Sequence, residues 1–310
     1  MRFRVVIPRP PGGNANWTAA TYNDCFLEQA EAVVHGLNAI GHEARLDNSV
    51  PEAPPGARVS WDSPQLRYSF NDDPGEVPIV FGGNVLPDGY RLGPGTIVYN
   101  LEQPNTVHMQ KTLRLASQPG VRVWEYKRAN FGFWDQHGVA YTYVPIGYVP
   151  ELTTIQPAAA KDIDCFFSGY ITPNCEGGAR RLSVLNRLTA AGARVVAVDR
   201  AFGEERNRLI ARARLVLNIH FYQTFEINRV VQALANRKAV LTERSLDDAD
   251  YGWLEGAIAN VPYEGLVDEA MALLAAPARL AELERRGFEA LAAQDERDIL
   301  RRALGETYGA

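Results

Sequence analysis

The sequence is poor in the residues that would give it an external brace or a membrane anchor. It has three cysteines in 310 residues, Cys25, Cys165 and Cys175. An odd number without metal-like spacing argues against a disulfide framework and a structural zinc site, and fits a reducing compartment. No run approaches the roughly 18 apolar residues that a membrane span needs. The opening MRFRVVIPRPPGG has too short an apolar stretch before Pro8 for a signal peptide. A soluble, cytoplasmic protein with no membrane span is the expectation. Positive charge is also short: residues 1–150 carry twelve basic and fourteen acidic side chains, and residues 151–310 twenty and twenty-three. Neither half has the basic field of a dedicated nucleic-acid binder, so nucleic acid ranks low among partners. One local exception is the run from Arg180 to Arg214, with nine arginines against three acids. Solvated helix faces explain most of it.

What is present is an alternation of apolar strand and helix signals. The length suggests two domains of about 150 residues each. Strand signals fall at 3–7, 42–46, 77–81, 96–100, 121–125 and 140–144, with helices over 18–40 and 106–117. The stretch 48–77, rich in Pro, Asp and Ser, reads as irregular. The proline-containing segment VPIGYVPELTTIQPAAAKD has little periodicity and reads as a linker. Beyond it come strands at 164–169, 194–199, 215–221, 239–243 and 257–261. Helices are expected at 178–190, 204–212, 225–236, 263–275 and 279–294. Such alternation predicts α/β architecture with parallel sheets. The expectation is two Rossmann-like domains, 1–150 and 151–310, facing a central cleft onto which the strand ends open.

Candidate site residues were sought directly after strands, where open α/β sheets hold ligands. The richest junction is LVLNIHFYQTFEINRVV, a buried strand feeding a helix. It carries His220, Tyr222, Gln223, Thr224, Phe225, Glu226, Asn228 and Arg229. A helix N-terminus there suits an anion, and Arg229, one turn in, suits a diphosphate. His220 is a candidate for catalysis, with a hydrogen-bonded structural histidine as the plain alternative. Glu226 reads equally as a capping acid. After DIDCFFS come Gly169 and Tyr170, and then Arg180 and Arg181, a small-residue turn entering a basic helix. Glu102, following TIVYN, stands where a carboxylate base would, or caps the next helix. Gly12, Gly13 and Asn14 form a loop after the first strand that matches no nucleotide-binding fingerprint and would shape an acceptor pocket. The aromatics of 121–148 are read mostly as core, with one or two rings left for a stacking platform. No metal-binding constellation stands at a strand end.

The segment FEINRVVQALANRKAV, the later PYEGLVDEAMALLAAPARLAELERRGFEAL, and the pieces IVYNLEQ, VPIGYVPEL and DIDCFFSGY resemble a known pattern. It is that of bacterial glycosyltransferases of the GT-B architecture, nearest the group-1-like branch described as glycosyltransferase-like or spore-maturation-like. The resemblance implies a C-terminal domain that binds a nucleoside-diphosphate sugar, such as a UDP-sugar, and an N-terminal domain that binds the acceptor. It implies transfer to an acceptor hydroxyl without a metal, the nucleotide sugar being a co-substrate and no cofactor being needed. It places Asn228 and Arg229 at the donor diphosphate. Gln232, with Thr224 before it, stands where relatives carry a glutamate pair for the donor ribose. That departure keeps open a noncatalytic nucleotide- or sugar-binding relative, and the arginine run with the aromatics keeps open an enzyme glycosylating a modified nucleic-acid base. The acceptor, whether glycan, lipid-linked glycan, peptide or base, is not implied.

Overall fold

The computed structural model describes residues 1–9, 24–48, 52, 67–71, 73–103, 106–199 and 201–309. The chain divides into two compact units, Met1–Ile146 with Glu296–Ala310, and Gly147–Asp295. In the first unit, β1 (Arg2–Val6), α1 (Leu27–Ala39), β2 (Glu43–Asp47), β3 (Val77–Phe81) and β4 (Ile97–Asn100) are followed by α2 (Val107–Ala116). Next come β5 (Arg122–Glu125), the short α3 (Phe131–Gln136) and β6 (Thr142–Tyr143). The sheet order is β2-β1-β3-β4-β5-β6, with every pairing parallel.

The second unit holds β7 (Ile163–Ser168), α4 (Glu176–Ala190), β8 (Val195–Val198), α5 (Gly203–Arg212) and β9 (Ala213–Asn218). It continues with α6 (Ile227–Ala235), β10 (Ala239–Glu243), β11 (Ala259–Val261), α7 (Leu266–Leu274) and α8 (Pro277–Ala292). Its sheet order is β11-β10-β9-β7-β8, again all parallel. A parallel sheet covered on both faces needs strands that are apolar on both sides. IVYN in β4 and AVLTE in β10 are buried at every position, whereas the edge strands β2 and β8 are half exposed. Cys165 and Phe167 of β7, Leu215 and Leu217 of β9 and Leu241 of β10 form one face of the second unit's core. Val184 and Leu188 of α4 and Ala270 and Leu273 of α7 close over them.

The sequence pattern predicts a last helix ending at 294 and one domain over 151–310. A further helix, α9 (Glu296–Tyr308), follows and belongs to the first unit. It buries Ile299, Leu300, Ala303 and Leu304. Its partner is α1, where Gly36 leaves the space: a Cβ there would stand 2.6 Å from Leu300 Cδ1. Trp124 Nε1 also donates to Thr307 Oγ1 at 3.0 Å. Local patterning shows the amphipathic face of such a helix but does not name the surface it covers.

Candidate functional site

From β7 the second sheet grows outward to β8 on one side and to β9 on the other. The carboxyl ends of β7 and β9 therefore flank a topological switch point, the place where sheets of this class take ligands. Arg229 lies across both ends. Its Nε donates to the Ser168 carbonyl at 2.7 Å, its Nη1 to Asn218 Oδ1, and its Nη2 to the Glu226 carboxylate at 3.0 Å. The guanidinium rests on the Phe167 ring, 4.8 Å from its centroid. A Cβ at residue 169 would come within 2.8 Å of Arg229 Nη2, so Gly169 is required by this approach. Burial lowers the pKa of Arg229 to about 10 against the opposing pull of Glu226. The group remains charged at neutral pH.

Glu226 does not cap the helix with its side chain. Its carboxylate accepts from Arg181 Nη2 at 2.6 and 2.7 Å, from the Phe221 N–H and from Arg229. Burial pushes its pKa up, but the guanidiniums of Arg181 and Arg229 outweigh that and hold it at about 2. Arg181, expected at the ligand, is only 3% exposed. It spends its N–H groups on the Ile219 and Tyr170 carbonyls and on Glu226. It braces the loops after β7 and β9.

His220 is wholly buried. Its Nδ1 accepts from the Glu226 N–H and its Nε2 donates to the Glu243 carbonyl at 3.0 Å, the tautomer this pairing requires. An imidazole with both nitrogens engaged inside the fold matches the structural alternative to a catalytic role. Phe225 is likewise internal, stacked on Tyr251 at 4.3 Å with its N–H on the Asp247 carboxylate. Around the cluster, Tyr170 and Tyr222 are exposed and Thr224 is half-buried. Asn228 has a buried Oδ1 that accepts no hydrogen bond from a described residue. Gln232 is buried and donates to Asn207 Oδ1 at 3.1 Å. Arg180, the other member of the basic pair, bonds the Glu243 carboxylate at 2.6 Å and lies over Tyr263.

In the first unit, Glu102 follows β4. Its N–H donates to Asn100 Oδ1 at 3.2 Å and its carbonyl accepts from Asn130 Nδ2 at 3.0 Å. Burial raises the pKa of its carboxyl to about 7. Thr106 caps α2 through the Met109 N–H, so Glu102 is not needed there. His108 shares a hydrogen bond with Asn84 at 2.9 Å, and burial with Lys111 nearby depresses its pKa. Glu125 is not among the candidate residues that the sequence pattern marks. It is fully buried at the end of β5, and burial raises its pKa to about 7 although four donors surround it. An acid inside the apolar run VRVWEY was the available signal. Gly12, Gly13 and Asn14 lie outside the described residues; Arg9 and Asp24, on either side of that segment, form an ion pair at 2.6 Å.

Much of the arginine run is engaged in ion pairs among the described residues. Arg180, Arg181, Arg194, Arg212 and Arg214 pair with Glu243, Glu226, Asp164, Asp162 and Asp164, all outside the run. Among the described residues there is no group of three or more His, Cys, Asp or Glu side chains able to hold a metal ion. Nor is any helix among them long and apolar enough to cross a membrane.

No protein-family model matches the chain, and no curated protein matches it. Solved structures do. WaaG, a glycosyltransferase involved in lipopolysaccharide biosynthesis, superposes with a TM-score of 0.61 at 12% identity, covering 99% of this chain and 100% of its own. AviGT4, a glycosyltransferase involved in avilamycin A biosynthesis, gives 0.55 at 19% identity over 98% of each chain. HepE of Anabaena, solved in complex with UDP and glucose, gives 0.58 at 11% identity over 100% of each. The two parallel sheets and their helices thus have the α/β fold of the GT-B glycosyltransferases.

Proposed function

We propose that this chain is a glycosyltransferase that holds a nucleoside-diphosphate sugar at the carboxyl edge of the second sheet. The observation that carries the reading is Arg229, fixed across the ends of β7 and β9 at the first turn of α6. Three of its N–H groups are spent inside the protein, and a guanidinium has five. The remaining donors, with the amide end of α6 and Asn228, suit the two phosphates. Arg181 and Glu226 keep Arg229 in place and are not themselves ligand contacts. Tyr170, Tyr222 and Thr224 line the rim of the same edge. A solved protein of this fold holds UDP and glucose, which supports a uridine donor.

In this reading an acceptor hydroxyl attacks the anomeric carbon, and the bond from that carbon to the diphosphate oxygen breaks. Glu102 is the group proposed to take the hydroxyl proton. A carboxylate with a pKa of about 7 is well matched to proton transfer near neutral pH. Arginine and the helix amides offset the leaving-group charge, so the reading calls on no metal. A cytoplasmic enzyme with free cysteines accords with it.

The test is thermal melting of the full chain with UDP, GDP, dTDP and inorganic pyrophosphate. At least one nucleotide raises the melting temperature of the wild type, and Arg229→Ala removes the rise. No stabilisation by any of the four would sink the donor site. A second reading, nucleotide binding without turnover, draws on Gln232, whose amide is committed to Asn207 where a carboxylate pair was implied. It predicts the same melting shift but no release of nucleoside diphosphate from any nucleotide sugar. Glycosylation of a nucleic-acid base is weakened, because five of the nine arginines that helped suggest it are ion-paired with acids outside the run.

A further inference from the structure

Glu125 is a buried acid that the transfer reaction does not use, and its surroundings are unusually ordered. Its Oε2 accepts from Asn100 Nδ2 and Trp134 Nε1, each at 2.7 Å. Its Oε1 accepts from the Lys127 N–H at 2.8 Å and from Asn130 Nδ2 at 3.0 Å. Two of these donors are side-chain amides that reach onward, and both end on one residue. Asn100 turns its Oδ1 to the Glu102 N–H, and Asn130 gives its Nδ2 to the Glu102 carbonyl. Lys127, next to the network, donates from Nζ to Gln103 Oε1 at 3.2 Å. The peptide on each side of Glu102 is therefore tied down, while its carboxylate takes no hydrogen bond from a described residue.

We propose that Glu125 is a positioning residue, which through the amides of Asn100 and Asn130 fixes the main chain of Glu102 and so sets where the Glu102 carboxylate stands. The proposal rests on the reading of Glu102 as the proton acceptor. A carboxylate suits the role because four donors converge on two oxygens, and each amide is polarised toward its second partner. Glutamine cannot replace it, since one oxygen becomes an NH2 group facing two donors. A chain of this kind holds a reacting group within a few tenths of an ångström, the tolerance that catalysis demands. Among the described residues, Tyr99 and Tyr141 face Glu125, Cys25 faces Glu102, and Lys127 stands beside the network.

Titration of the Glu102 side-chain carboxyl by carbon-13 NMR in the full chain tests this, the signal being assigned by its loss in Glu102→Gln. In the wild type the midpoint lies near 7. In Glu125→Gln it drops by at least one pH unit as the released loop admits water. In parallel, Glu125→Gln lowers kcat for nucleoside-diphosphate release at least tenfold with KM for the donor unchanged. The double variant Glu102→Gln/Glu125→Gln is no slower than Glu102→Gln alone. An unmoved Glu102 midpoint in a folded Glu125→Gln protein, or losses that multiply, would overturn the proposal. Should that variant not fold, Asn130→Ala cuts a single relay and is read by the same titration. If Glu102→Gln leaves turnover intact, the proton-acceptor reading fails, and the titration still decides the positioning role.

Discussion

Arg181, Glu226 and Arg229 show how charge is kept inside a fold. Two guanidiniums flank one carboxylate, and each also holds a strand-end carbonyl, so no member is buried without compensation. Removing the acid should therefore cost more than the pair is worth. Glu226→Ala leaves Arg181 buried without its counter-charge and is expected to lower unfolding free energy by about 3–5 kcal/mol. Urea denaturation at neutral pH measures it; a loss below about 1 kcal/mol, the value of an exposed pair, would mean that water reaches the cluster. The same carboxyl has a folded pKa of about 2 against an ordinary 4.5. Its stabilisation is complete above the ordinary value and disappears as pH falls through about 2.

At the level of elements, the site depends on how strands end and helices begin. β4 and β5 finish in Asn100 and Glu125, and the loops beyond them carry Glu102 and Asn130. Helix α2 starts on Thr106, whose Oγ1 accepts the Met109 N–H at 3.1 Å. Thr106→Ala is expected to cost about 1 kcal/mol in equilibrium unfolding, the usual worth of such a cap. A change within a few tenths would mean that a neighbouring group takes over the N–H. Docking of α9 on α1 is more sensitive. At Gly36 a Cβ meets Leu300 and Glu296, so Gly36→Val should displace the helix and lower the melting temperature, as should deletion of the residues after 295. Equal melting temperatures for Gly36→Val and wild type would show that the α1/α9 contact yields without cost.

For the molecule as a whole, the buried Glu102 sets an opposite pH trend. Burial raises its pKa to about 7 from an ordinary 4.5. A group with a raised folded pKa contributes stability that is complete below about 4.5 and is lost as pH rises through 7. Together with Glu226 this puts the most stable point near pH 5. Calorimetry between pH 3 and pH 8 should show the melting temperature falling on both sides, and Glu102→Gln should flatten the limb above pH 5. A melting temperature that climbs steadily from pH 5 to 8 in both proteins would contradict the burial of this acid.

The repeated strand and helix signals, read locally, were enough to specify parallel α/β architecture, because a strand buried on both faces must be apolar throughout and a covering helix must carry one apolar stripe. They also marked the junction after β9 and singled out Arg229 and Glu102. What they could not contain is partnership between distant residues. That Arg181 is spent on Glu226, that His220 faces inward, that Asp162 and Asp164 pair with Arg194, Arg212 and Arg214, and that α9 returns to α1 are facts of the assembled chain. Glu125 makes the point most sharply. Its neighbours in sequence suggest only a misplaced acid in a strand, and its place follows from the donors of Asn100, Asn130 and Trp134, which reach it only once the strands have paired and the helix has packed. Hydrogen bonds and ion pairs act over a few ångströms in space whatever their separation along the chain, so the tertiary structure alone decided them.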